Sequence, residues 1–182
     1  MGNKTLVQDV IINRVAGMEF LMIFSAALAC LCLLWAGWVD LKLWILPNEL
    51  VAAVAVLSIP FHFSLSALGS DWLSILLGAL VGGGSLWVIR AVANRIYGME
   101  TLGLGDVKLM AAIGLWLGSE GALMALSAGA FCGVLHAMLI VAHKKIIKGQ
   151  SVSMTRMALP AGPGFIAGSL LTAIFIYKEL WS

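Results

Sequence analysis

Residues 20–39 carry no charged side chain, and stretches of similar length and character recur along the chain. A helix needs roughly 20 mostly apolar residues to cross the hydrocarbon core of a bilayer. By that criterion spans fall at 19–39, 46–65, 72–92, 106–118, 121–142 and 160–178. The fourth is short, and Gly114, Gly118 and Gly121 blur its boundary with the fifth. The count is therefore about six, or five if the fourth segment is re-entrant. Because lipid offers backbone groups no hydrogen-bond partners, the fold class is all-α, a polytopic membrane helix bundle. Composition agrees: the 182 residues are 62% hydrophobic and 11% charged, with mean hydropathy +1.03, against about 25% charge in a soluble domain. Residues 1–182 form one membrane-embedded domain, with an N-terminal tail at 1–18 and a basic loop at 143–158. The first apolar run exceeds the roughly 7–15 residues of a signal-peptide core, so it is read as a retained span.

Lys and Arg set the orientation. The connections after spans one, three and five, with their flanks, hold Lys42, Arg90, Arg95, Lys108, Lys144, Lys145, Lys148 and Arg156; the tails hold Lys4, Arg14 and Lys178. The positive-inside rule makes the richer side cytoplasmic and puts both termini outside. Trp35, Trp38, Trp44 and Trp87 then lie near cytoplasmic ends and Trp72, Trp116 and Trp181 near outer ends, the pattern of interfacial belts. Small-xxx-small pairs (Gly78 with Gly82, Gly114 with Gly118, Gly129 with Gly133, Gly164 with Gly168) suit close helix approach. The run Gly82–Gly84 is expected to loosen the third span near its middle.

Other chemistries find little support. A formal charge of +2, with basic residues spread along the chain, argues against a nucleic-acid partner. Cys30, Cys32 and Cys132 lie in apolar runs without the paired spacing of a metal site, so they read as packing residues; no metal or cofactor is expected. The lipid bilayer is the one partner that composition demands, and the oligomeric state is left open.

The acids carry more information. Asp9, Asp71, Glu120 and Glu179 fall in outer tails or loops, and Glu19 opens span one on that side. On the cytoplasmic side stand Asp40, Glu49, Glu100 and Asp106. Asp40 closes span one at the predicted depth where Asp106 opens span four, so the two can converge. Charge at membrane depth is costly enough, roughly 2.5–3.5 kcal/mol on insertion scales, to imply a function and a partner. Two carboxyls sharing a site hold one proton between them, so one can activate water while the other polarises a carbonyl. Helix capping is the competing explanation. It suits Asp106 at a helix N-terminus and suits Asp40 poorly, since a helix C-terminus disfavours negative charge.

Two motifs now resemble those of one family. Gly103-Leu104-Gly105-Asp106-Val107-Lys108 is similar to the G-x-G-D-x-K signature of type IV prepilin peptidases, the bacterial GxGD membrane aspartic proteases. Asp40, followed after six residues by Pro47-Asn48, resembles that family's first catalytic segment, and Leu159-Pro160-Ala161-Gly162-Pro163 its late Pro-Phe-Gly-Pro element, with Ala161 in place of Phe. The resemblance covers nearly all of the chain from Glu19 onward. It implies that Asp40 and Asp106 are a catalytic pair removing the short basic leader of a prepilin or pseudopilin at the cytoplasmic face of the bacterial inner membrane. Larger members carry a four-cysteine cytoplasmic segment and also N-methylate the new terminus. This chain has no such quartet and no room for that domain, so the expectation is peptidase activity alone, as in the short enzymes of tight-adherence (Flp-type) pilus systems.

The neighbouring residues receive narrower readings. Gly103 and Gly105 would leave the backbone open to a substrate strand. Pro47 would start span two, where its missing N–H costs nothing, with Asn48 beside it. Glu49 and Glu100 would attract a basic leader or remain solvated loop acids. Lys108, two residues past Asp106, would point away from it and snorkel to headgroups, with substrate contact the alternative. His136 within span five suggests an interhelical hydrogen bond. Two further readings compete with this one. A presenilin-like intramembrane protease shares Gly-x-Gly-Asp but places Tyr before its first Asp, where this chain has Val39, and uses Pro-Ala-Leu where this chain reads Leu159-Pro160-Ala161. A proton-coupled small transporter would use Asp40 and Asp106 as a relay, but it would want them nearer the midplane and often carries internal repeats.

Overall fold

The computed structural model describes residues 2–66, 71–148 and 161–178, with side chains described for 16–65, 71–143 and 161–178. Regular structure among these residues is helical: α1 Gly2–Leu43, α2 Asn48–Ser66, α3 Trp72–Tyr97, α4 Leu104–Lys148 and α5 Gly162–Tyr177. Four segments are long and apolar enough to cross a membrane, Ala16–Leu43, Asn48–Leu65, Trp72–Tyr97 and Leu104–His143, and α5 is a shorter apolar helix. The chain is a multi-pass membrane protein. Two expected boundaries move. Helix α1 begins at Gly2, so residues 2–18 of the expected tail are helical. Helix α4 runs to Lys148, into the expected loop at 143–158; the rest of that loop, with Pro160, lies outside the described residues.

Helix α4 is two limbs. Gly118 has φ 71° and ψ −176°, a region open essentially to glycine alone. A straight helix would hold Met110 and Ala122 about 18 Å apart. Yet a Cβ placed on Gly82 of α3 would strike the Met110 carbonyl and lie 3.5 Å from the Ala122 Cβ. The chain therefore turns back at Gly118, and both limbs meet α3. The boundary that three glycines blurred in the sequence is this single residue.

Glycine sets the rest of the packing. A Cβ on Gly78 would collide with the backbone of Gly114 and Gly118, and one on Gly83 would sit 2.7 Å from the Ala111 Cβ. The second limb packs on α5 in the same way, Gly129 and Gly133 against Gly164, Phe165 and Gly168. Between apolar helices in lipid, such close approach supplies the van der Waals contact that holds them. The run Gly82–Gly84 loosens nothing: α3 is continuous through it, and Gly82 and Gly83 are where the first limb of α4 docks.

Helix α2 runs parallel to that first limb and is tied to it by polar bonds. Trp116 Nε1 donates to the Val54 carbonyl (2.8 Å), and His62 Nε2 bonds the Leu115 carbonyl (2.9 Å). Trp116 is thus half-buried and bonded within the bundle, not a member of an interfacial belt. Tyr177 donates its hydroxyl to the Trp116 carbonyl. Asp71, expected as a solvated loop acid, caps α3 by accepting from the Leu73 N–H (3.0 Å), which offsets one of the helix's orphan donors. The interhelical bond expected of His136 is not made by its Nε2, which is buried without a partner.

Candidate active site

On α1 the buried positions Ala29, Leu33, Ala36 and Asp40 follow one another at helical spacing. The stripe that seats α1 in the bundle thus delivers its last member as an acid. On α4 the same holds in reverse: Asp106 opens a buried stripe continued by Met110, Ile113 and Leu117. Both acids are nearly enclosed, Asp40 at 5% and Asp106 at 7% exposure. They are close enough for the charge of Asp40 to act on Asp106.

Three elements besides α1 and α4 close around them. Gly162, at the N-terminus of α5, sits against the Asp40 carboxyl: a Cβ there would lie 2.5 Å from Asp40 Oδ2. That oxygen is itself buried with no hydrogen-bond partner. The α1–α2 connection turns at Trp44, which has φ 60° and whose N–H bonds the Asp40 carbonyl (2.9 Å). It then buries Leu46, whose Cδ1 would be 3.4 Å from a Cβ on either Gly105 or Gly162. Asp106 is the third residue of α4, and its carboxyl folds back against Gly103 at the helix start.

The remaining expected residues distribute as follows. Gly103 is exposed, and a Cβ there would lie 3.3 Å from Asp106 Oδ2. Gly105 is not open to a strand, because Leu46 fills the space beside it, 2.9 Å from where a Cβ would be. Pro47 stands just before α2, one position earlier than expected, and its carbonyl accepts the Val51 N–H (3.3 Å). Asn48 and Lys108 bond each other across α2 and α4, Nζ to Oδ1 at 3.0 Å; the lysine therefore does not simply snorkel. Glu49 is exposed in the first turn of α2. Glu100 is a solvated loop acid, 84% exposed, that also pairs with Arg90 at 3.0 Å. Sequence reasoning missed Leu46, Gly162 as a wall of the site, and Arg90. Leu46 and Gly162 lie inside segments that the motifs covered, whereas Arg90 had no signal beyond its charge.

Comparison with known proteins decides the family. A model described as the Type IV leader peptidase family matches residues 27–138, more than half of the chain and inclusive of both acids. The chain belongs to the Type IV leader peptidase family. Among curated leader peptidase relatives, the prepilin leader peptidase/N-methyltransferase of Burkholderia pseudomallei (strain K96243) is 30% identical over 83% of this chain and 47% of its own length. Proteins of the same name from Xanthomonas campestris pv. campestris (34% identity, 54% of this chain, 33% of the relative) and Pectobacterium carotovorum subsp. carotovorum (35%, 44% and 28%) also match. The chain spans less than half the length of these relatives. No solved structure matches it.

Proposed function

We propose that this leader peptidase family member is an aspartic endopeptidase that removes the basic leader from a prepilin or pseudopilin, with Asp40 and Asp106 as its catalytic residues. The observation that carries the reading is the convergence of two enclosed acids from separate helices, one with an unpartnered carboxyl oxygen, inside the segment that the family model matches. One carboxylate takes a proton from water as it attacks the scissile carbonyl, while the other, protonated, donates to the developing oxyanion. As the tetrahedral intermediate collapses, the first carboxyl passes its new proton to the leaving amine and the second takes the hydroxyl proton back. The shared proton makes this division possible, because two carboxyls this close do not both ionise readily.

Counting the two limbs of α4 separately yields six crossings, with both termini outside and the acids at the cytoplasmic face of the inner membrane; the Lys and Arg distribution supports that orientation. The exposed Glu49 lies on the same side, where a basic leader would arrive. Cleavage without N-methylation is the finer reading, as in the short tight-adherence peptidases. It rests on the cysteines present: Cys30 and Cys32 on α1 and Cys132 on α4, with no group of three or more His, Cys, Asp or Glu among the described residues.

Purified protein incubated with candidate prepilins, with the products read by mass spectrometry, tests this directly. Cleavage after the leader is expected of the parent, and Asp40→Asn and Asp106→Asn should each abolish it while still inserting in the membrane. Processing at the parent rate by either variant would remove the pair from the mechanism.

A further inference from the structure

Residues 98–103 join α3 to α4 and lead directly into Asp106, and α3 grips them along one face. Arg90 and Asn94 stand four apart, hence on one side of the helix. Arg90, whose side chain is only 16% exposed, donates from Nε to the Leu102 carbonyl (2.7 Å) and from Nη2 to Glu100 Oε1 (3.0 Å). Asn94 Oδ1 accepts twice from Thr101, from its N–H at 2.8 Å and its hydroxyl at 2.9 Å. The Asn94 carbonyl also takes the Gly98 N–H (2.9 Å), where the chain leaves α3 at φ 65°.

One of these bonds reaches the site. The Leu102 carbonyl and the Gly103 N–H belong to a single planar peptide group. Its oxygen faces the Arg90 guanidinium, and at its other end the Asp106 carboxyl lies against Gly103, Oδ2 being 3.3 Å from where a Cβ would stand. A peptide plane in an unrestrained loop is free to rotate, which would shift Gly103 against the carboxyl. The arginine bond to the opposite end of the same plane opposes the rotation, and a charged donor makes it one of the stronger hydrogen bonds available.

We propose that Arg90 and Asn94 are positioning residues for Asp106, acting through the Leu102–Gly103 peptide group. The proposal rests on the peptidase reading above and names what holds one of its two acids in place.

Prepilin cleavage by the full chain in detergent tests it, comparing Arg90→Lys, Arg90→Gln, Asn94→Leu and Asn94→Asp with the parent. Lysine keeps the charge but lacks the planar fork that serves Leu102 and Glu100 together. Both Arg90 variants should lose roughly tenfold or more in kcat, the scale of one charged hydrogen bond. Their KM should stay within about twofold, because Arg90 acts on the acid and not on substrate. The pH–rate profile should shift as well, which a mere fall in folded fraction would not produce. Asn94→Leu should lose activity, and Asn94→Asp, which keeps an acceptor for both Thr101 donors, should recover most of it. Parent kcat and profile in both Arg90 variants and in Asn94→Leu would overturn the proposal. So would Asn94→Asp falling as far as Asn94→Leu. If the Arg90 variants fail to accumulate, the Asn94 pair decides. Asp106→Asn run alongside separates the two levels: its continued cleavage overturns the peptidase reading, whereas an inactive Asp106→Asn beside fully active Arg90 variants overturns the clamp alone.

Discussion

The two acids stand on halves of the molecule built in different ways. Asp106 belongs to the half made by α3, α4 and α5, where glycines bring helix backbones into direct contact. Asp40 belongs to α1, which packs on α2 and α5 and presents Phe20, Phe24, Leu31, Leu34, Trp35 and Trp38 outward. Between α1 and the other helices lies an apolar cavity of about 390 Å³, bordered by Ala26, Ala29, Phe61, Ile113, Ala173 and Tyr177. Backbone-to-backbone contact leaves no side chain able to adjust, whereas a cavity beside large side chains leaves room to repack. One acid is therefore mounted on a rigid frame, and the other on a helix with slack beside it. What pins Asp40 is contact at the site itself, with Gly162 at the start of α5 and Leu46 beside that glycine.

That contrast can be broken at the rigid side with the largest expected effect. Gly114→Val would drive its new methyls into the Gly78 backbone and should cost about 3 kcal/mol or more, since overpacking against main chain has no rotamer by which to escape. Thermal unfolding in detergent reads this, and an unchanged transition would show the interface to be adjustable after all. Next is Gly162→Ala, whose Cβ would press on Asp40 Oδ2. It should lower kcat between roughly tenfold and a hundredfold, the range that misplacing a reacting group produces, with a much smaller change in melting. Loss of folding in place of activity would mean that α5 seats the bundle more than it seats the acid.

Smaller effects test the slack side. Ala173→Leu, on the face of α5 that borders the cavity, fills part of it and should raise stability by about 1 kcal/mol; the same enlargement where α5 meets the glycines of α4 would destabilise. A destabilised Ala173→Leu would show the cavity to be closed to repacking. The smallest change sharpens the comparison within three residues of α3. Gly84 has nothing within 4 Å of a new Cβ, whereas Gly83 faces the Ala111 Cβ. Gly84→Ala should be neutral or gain at most about 1 kcal/mol from helix propensity, and Gly83→Ala should cost about 1–3 kcal/mol. Equal behaviour of the two would deny that the first limb of α4 docks where it is described.

Legibility follows how local each signal is. The helices were readable because a span announces itself by an uninterrupted run of apolar residues. Leu102 and Arg90 show the limit: a backbone carbonyl gives no sign in the sequence of which side chain will find it. Gly105 was misread for a related reason, since absence of a side chain marks space without saying whether Leu46 or a substrate fills it. Asp71 was a missed local signal, an acid directly before a helix.

By itself the sequence determined that this chain lies in the membrane as helices, and that Asp40 and Asp106 sit at helix ends, because hydropathy and motif spacing act over neighbouring residues. Tertiary structure alone decided that α4 folds back at Gly118, that Gly162 and Leu46 wall in Asp40, and that Arg90 reaches the peptide group behind Asp106. Each joins residues distant in the chain or turns on one backbone conformation, and only the packed bundle selects among the many pairings that an apolar, glycine-rich sequence allows.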